Sequence, residues 1–215
     1  MSHTPYKNKK GDRVPSVTTI ISRFDGEKVG PLMDWAWRKG MKGIDYRQAR
    51  DDAADVGTIC HEMVECFIRK IKFDPSKYES NLVEEAKVPF KSFLEWQKTS
   101  KLKPAKTEVR LVSEQYQYGG MIDAVQLNGE LVILDWKTSN GIYVGYLIQL
   151  AAYRNLWNEC MGKQIRNCCL VRFGKIDVDF SHRLFSENVL DRAFDVFRWY
   201  RECYDALNEL KRRMA

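Results

Sequence analysis

The chain has 215 residues, 44% of them hydrophobic and 30% charged, with a formal net charge of +6 from 35 basic and 29 acidic side chains. That balance belongs to a chain that buries a core and excludes a disordered polymer; the length suits one well-buried domain rather than two ordinary ones. A charge this modest is compatible with a polyanionic partner without establishing one, and no stretch approaches the roughly 18 consecutive apolar residues of a membrane span.

The opening MSHTPYKNKKGDR has no apolar core, so a secretory signal is not expected and a reducing, cytoplasmic setting is. Val14–Ile21 (VPSVTTII) is rich in β-branched residues, yet Pro15 and the Ser/Thr cluster suit a loop and helix cap as well as a strand. From Pro31 to about Arg50 the residues Leu32, Trp35, Ala36 and Met41 recur at roughly helical spacing, interrupted by Gly40 and Gly43. A stronger helix is predicted from about Ala53 to Lys70, with Ile59, Met63, Cys66 and Phe67 on one stripe, and a third over about Asn81–Lys98.

The pattern then changes. Thr107–Val112, Tyr118–Leu127 and Glu130–Lys137 read as strands, the last two joined across Asn128–Gly129, a strong hairpin signal. The continuous apolar run Leu131–Leu134 places its strand in the middle of a sheet. A helix from about Tyr143 to Cys160 is apolar on nearly every side, as befits a helix packed across a sheet. Asn167–Phe173 and Ile176–Phe180 read as strands separated by Gly174–Lys175. Ser186 then caps a long final helix with Leu190, Phe194, Phe197 and Tyr200 inward and many Arg and Lys outward. Helices, three strands, a helix, two strands and a helix make an α/β domain: a central mixed β-sheet flanked by helices, with an N-terminal helical part over residues 1–100 and a core over 101–215. The six cysteines show no CxxC spacing, so neither a zinc ribbon nor an iron–sulfur cluster is expected, and free buried thiols are.

The anomaly lies in the central strand, where four apolar residues are followed by Asp135, Trp136 and Lys137 (ILDWKTS). A strand period of two puts Asp135 and Lys137 on one face, and charges at the end of a buried strand are costly unless paired or bound to a metal. An Asp–Lys ion pair, or a strand emerging into solvent, would account for these two alone. Asp123, after Gly119–Gly120 on the partner strand, is a second acid among apolar neighbours. Gln149 and Tyr153 share one helix face four residues apart, and His61 sits beside the apolar stripe of an earlier helix. Each has an ordinary reading by itself: a partly buried histidine, helix packing, a capping hydrogen bond.

Taken in order, Gly57–His61 (GxxxH), Gly120–Asp123 (GxxD), Asp135–Lys137 (DxK) and Gln149–Tyr153 (QxxxY) resemble the PD-(D/E)XK nuclease superfamily, in particular its RecB-like exonuclease branch. DWKTS is similar to the matching segment of mitochondrial genome maintenance exonucleases, while VPSVTTII and LMDWA are similar to N-terminal segments of phage and bacterial members. The resemblance spans about residues 14–153, and the GxxD motif is met by Gly120, not Gly119. It implies a restriction-endonuclease-like core and a metal-dependent DNA exonuclease working at DNA ends, with single-stranded DNA favoured, in a bacterial or phage-infected cell. It implies Mg²⁺ or Mn²⁺ held by Asp123, Asp135, His61 and the Trp136 carbonyl; hard oxygen ligands suit such ions, which activate water and steady the departing oxygen. Lys137 would position or help deprotonate that water, Gln149 and Tyr153 would orient Lys137 or the DNA, and Glu108 would be either a supporting acid or a surface residue. Trp35, Trp37 and Trp96 read as core packing, with base stacking the other possibility.

This reading makes a geometric demand. A two-residue loop at Asn128–Gly129 would pair Asp123 with Leu134 and send Asp123 and Asp135 to opposite faces. For both acids to share an ion, the loop must be one residue longer or a bulge must intervene, and that change of parity is expected. Three other readings compete: a structure-specific or restriction-type endonuclease of the same fold, a catalytically silent DNA-binding module, and a purely structural ion-pair network. The basic final helix, with Arg192, Arg198, Arg201, Lys211, Arg212 and Arg213, reads first as a solvated face.

Overall fold

The computed structural model describes residues 4–27, 29–126 and 129–214. Short strands β1 (Tyr6–Lys7) and β2 (Arg13–Val14) form a small antiparallel pair, followed by helices α1 (Val17–Ile21), α2 (Val29–Gly40), α3 (Tyr46–Arg69) and α4 (Ser80–Thr99). Strands β3 (Lys106–Ser113), β4 (Tyr118–Gln126) and β5 (Val132–Thr138) lead into helix α5 (Val144–Met161), strands β6 (Asn167–Phe173) and β7 (Phe180–Phe185), and helix α6 (Glu187–Met214). The five long strands make one sheet in chain order: β3, β4 and β5 are antiparallel, β6 runs parallel to β5, and β7 is antiparallel to β6. The parallel pair requires a crossover, and α5 provides it. Among the described residues no helix is long and apolar enough to cross a membrane.

Period-two alternation divides the core between the faces of the sheet. Ile133, Cys168 and Leu170 pack with α1, α5 and α6, around Leu150, Trp157, Leu190 and Phe197. Val132, Leu134, Trp136, Cys169, Val171 and Phe173 pack with α3 and α4. On that second face Phe93, Trp96, Trp136 and Phe173 touch edge to face or stacked, with centroids 5.3–6.0 Å apart. Such ring pairs contribute about 0.5–1.5 kcal/mol each beyond area burial, so the floor beneath Trp136 is rigid.

Several sequence expectations are corrected. The Ser16 side chain accepts from the Thr19 amide and opens α1, so VPSVTTII is the end of β2 at Val14 and then a capped helix. The first long helix stops at Gly40 rather than near Arg50. Gly43 turns at φ +69°, Asp45 caps the Arg47 amide, and residues 46–52 join α3 instead. On the stripe of α3, Ile59, Met63 and Cys66 are buried but Phe67 is exposed, its ring edge resting on Phe90 and Phe93. The last strand is Phe180–Phe185, not Ile176–Phe180. Residues 174–179 are a turn in which Asp179 pairs with Arg172, and Ile176 and Val178 lie exposed outside the sheet. Trp96 is core, as expected, whereas Trp37 is exposed and Trp35 is half-buried beneath Lys39. Of the basic residues on α6, Arg192 is solvated, but Arg201 is nearly buried and donates to the carbonyls of Tyr116 and Gln117, fixing the helix to the β3–β4 turn.

Candidate active site

The β4–β5 ladder pairs Ala124 with Leu134, Val125 with Ile133 and Gln126 with Val132. This register is one residue away from that of a two-residue hairpin, so the expected change of parity is present; Asn128, half of the expected turn, lies outside the described residues. A second irregularity falls on Asp123. Ile122 belongs to the α5-side core, Ala124 to the α3–α4 side and Val125 to the α5 side again, so alternation breaks there. The β3–β4 ladder likewise skips the Glu108–Asp123 position, where Glu108 adopts φ +49°, a left-handed backbone that costs a side-chain-bearing residue about 1–3 kcal/mol.

Beyond Ala124 the strands no longer pair. Instead the Trp136 amide donates to Asp123 Oδ2 at 2.9 Å, so the side chain replaces the missing ladder bond and Asp123 sits over the end of β5. His61, on α3, places Nδ1 3.7 Å from the same Asp123 oxygen and stands beside Trp136 in the wall of the site. Asp135 is fully buried; its Oδ2 lies 2.7 Å from Lys137 Nζ, and Oδ1 has no hydrogen bond from any described residue. Lys137 extends over the Tyr146 ring, 5.0 Å from its centre. Gln149 donates to the Tyr153 hydroxyl at 2.8 Å, with Tyr153 buried behind the acids.

The glycines of the motifs have steric reasons. A Cβ on Gly57 would lie 2.9 Å from Thr138 Oγ1, so its absence lets α3 approach the end of β5 and brings His61 to the acids. A Cβ on Gly120 would lie 2.7 Å from the Tyr153 ring, so its absence lets α5 lie flat on the sheet.

Partial burial of these side chains, complete for Asp135, sets the charge states. Desolvation pushes Asp135 up to about 6, with Lys137 pulling down and Asp123 pushing up. Asp123 is also raised, chiefly by burial, against Lys137 and the Trp136 amide. Burial alone would lower Lys137, but Asp135 and Asp123 outweigh it and hold the ammonium above its usual value. His61 is lowered to about 4 by burial and by Lys137, which leaves a neutral imidazole near neutral pH. Glu108 is exposed on the rim beside Glu65 of α3; partial burial and the like charge of that neighbour raise its carboxyl.

Two recesses flank the site and share Gly57, His61 and Trp136 as a common wall. One, of about 370 Å³, is lined by Arg50, Lys137, Thr138, Tyr146 and Lys175. The other, of about 870 Å³, carries Asp55, Glu62, Glu65, Glu108 and Asp123 against a single Lys77. Sequence reading missed Arg50, Tyr146, Lys175 and the acids of α3. Only Lys175, in the turn signal Gly174–Lys175, carried any local mark.

The set His61, Asp123, Asp135 and the Trp136 carbonyl fits a divalent ion in donor chemistry: two carboxylates, a neutral imidazole, and a buried carboxylate oxygen lacking a hydrogen bond. As the side chains stand, no three His, Cys, Asp or Glu residues among those described converge closely enough to enclose one.

No family model matches the chain, and no curated protein matches it. Among solved structures, a candidate exonuclease from Eubacterium rectale overlaps 67% of this chain and 64% of its own, at 14% identity and a TM-score of 0.47. This chain therefore spans less than two thirds of that protein. An alkaline exonuclease from Laribacter hongkongensis overlaps 76% of this chain and 92% of its own, at 13% identity and a TM-score of 0.35; its complex with dAMP scores 0.36. Overlaps of this extent leave the chemistry to be read from the site itself.

Proposed function

We propose that this protein is a metal-dependent deoxyribonuclease that hydrolyses phosphodiester bonds at the ends of single-stranded DNA. The observation that carries the reading is Asp135: a fully buried carboxylate with one oxygen lacking a hydrogen bond, beside a second acid and a charged lysine, where two strands part. A structural ion pair has no need of Asp123 or of a neutral histidine at the same point, and a buried pair is in any case weak support for a fold.

Asp123, Asp135, His61 and the Trp136 carbonyl would hold Mg²⁺ or Mn²⁺, which supplies an activated water and charge on the phosphate oxygens. Lys137, whose ammonium the two acids hold above its usual value, would position or help deprotonate the attacking water and offset charge on the scissile phosphate. The Gln149–Tyr153 bond steadies the wall behind Asp135, with the tyrosine held as a phenol because burial and the acids raise it well above its usual range. The open recess of about 370 Å³ beside Lys137, lined also by Arg50 and Lys175, is where the strand would lie.

Digestion of end-labelled single- and double-stranded DNA with Mg²⁺ or Mn²⁺ tests this. The wild type should degrade single strands from an end, stop on addition of EDTA, and lose about 10²–10³-fold in rate as Lys137→Ala. Internal nicking would favour an endonuclease. Binding without cleavage would favour a silent module, and equal rates for wild type and variant would sink the assignment of the site.

A further inference from the structure

Lys175 stands out among the cations of the smaller recess. Lys137 is engaged by Asp135, and Arg50 lies 2.8 Å from Asp51. Arg172, which neighbours Lys137 across the β5–β6 ladder, pairs with Asp179, donates to Ser181 at 3.1 Å and reaches the Ser139 carbonyl at 3.4 Å. Lys175 is half-buried, lines the recess with Lys137 and His61, and has no carboxylate partner among the described residues.

Its placement is built in. The Gly174 amide donates to the Asp179 carbonyl at 2.9 Å, closing the β6–β7 turn, and the Arg172–Asp179 pair ties that turn to the sheet. A Cβ on Gly174 would meet the Asp179 carboxylate at 1.6 Å, so this compact turn requires glycine before the lysine. A partly desolvated ammonium that no acid neutralises is costly to keep, and a phosphate is a charge partner that would offset the cost. The acid-lined recess across the His61–Trp136 wall repels a polyanion, which leaves the Lys175 side as the route for a phosphate backbone.

We propose that Lys175 is a substrate-contacting residue that holds a backbone phosphate of the DNA strand adjoining the one at Lys137. The proposal rests on the nuclease reading for the identity of the strand. Burial also lowers the Lys175 ammonium from its ordinary value, as it would for a cation awaiting its partner.

Binding of a fluorescent single-stranded oligonucleotide, measured by anisotropy in EDTA over a range of salt, separates the two ideas. Lys175→Met should weaken binding about five- to tenfold near 0.1 M salt and reduce the log–log salt slope by about 0.7, one phosphate contact on a single strand. Lys175→Arg should restore most of both. With Mg²⁺ or Mn²⁺ present, Lys175→Met should raise KM while kcat stays within about twofold, the mark of binding shared by ground and transition states. Unchanged affinity and slope in Lys175→Met would overturn the phosphate contact and leave the nuclease reading intact. A slope reduced by Lys175→Met, with a wild type that never cleaves, would keep the contact and overturn the nuclease. A wild type that does not bind DNA would overturn both.

Discussion

The two recesses that meet at His61 and Trp136 are built from the same helix and the same strand end, yet they present opposite charge. On the smaller side the cations come from three separate places: Arg50 early in α3, Lys137 on β5 and Lys175 on the β6–β7 turn. On the larger side the acids come mainly from one place, the face of α3 carrying Asp55, Glu62 and Glu65, joined by Glu108 and Asp123 across the sheet edge. The difference teaches that polarity here is a property of where α3 crosses β5. The two faces of α3 at that crossing fall on different sides of the wall, Arg50 and Ala54 on one and Asp55 and Glu62 on the other. A strand of DNA lying along the cationic side would present its scissile phosphate to Lys137 and meet the acids edge-on.

Substitutions at the wall and on either side sharpen this contrast. The largest effect is expected at Gly57, where α3 touches Thr138. Gly57→Ala should gain about 1 kcal/mol of helix propensity and lose a similar amount to crowding, so thermal stability should barely move. Cleavage should fall about ten- to hundredfold, because His61 is displaced from Asp123 and Trp136. Full activity with normal Tm would mean that the approach of α3 to β5 is irrelevant to the site.

A smaller effect should appear in stability at high pH, from the core beneath the wall. Burial pushes the thiols of Cys60 and Cys169 up to about 12 from an ordinary 9.0. The folded state then keeps protons that the unfolded state releases. Stability from these groups is complete below about pH 9 and is lost as pH rises toward 12, on the order of 1 kcal/mol per thiol by pH 10. Denaturant titrations at pH 8, 9 and 10 measure this; a flat profile would contradict the burial of both thiols.

The smallest effect belongs to the acidic side. Glu62→Gln with Glu65→Gln should tighten single-strand binding about two- to threefold at low salt, roughly 0.5 kcal/mol, and the gain should vanish near 0.5 M salt. A loss of affinity instead would show that the strand uses the acidic recess, reversing the contrast.

Much of this was legible along the chain. The break in the apolar run at Asp135 marks the site because a charge in a central strand has few explanations. The near-uniform apolarity of α5 announces a helix packed on both sides. The need for a change of parity between Asp123 and Asp135 followed from the requirement that two acids share a face. Where reading failed, local signals were ambiguous. Ile176 and Val178 alternate like a strand yet lie exposed, because the Arg172–Asp179 pair turns the chain there. Trp37 sits in an apolar stretch whose helix buries none of its residues.

Residue order alone determined most of the long helices and strands, that one sheet would be covered on both faces, and that Asp135 and Lys137 would share a side. These follow from periodicity and from the cost of burying charge, which act over a few residues. Only the tertiary structure decided that Glu108 and Asp123 disrupt one ladder, that Gly57 admits Thr138, and that Lys175 comes to rest beside Lys137. Those outcomes depend on contacts between segments far apart in the chain, whose geometry is set by packing of the whole core and leaves no periodic trace in any one of them.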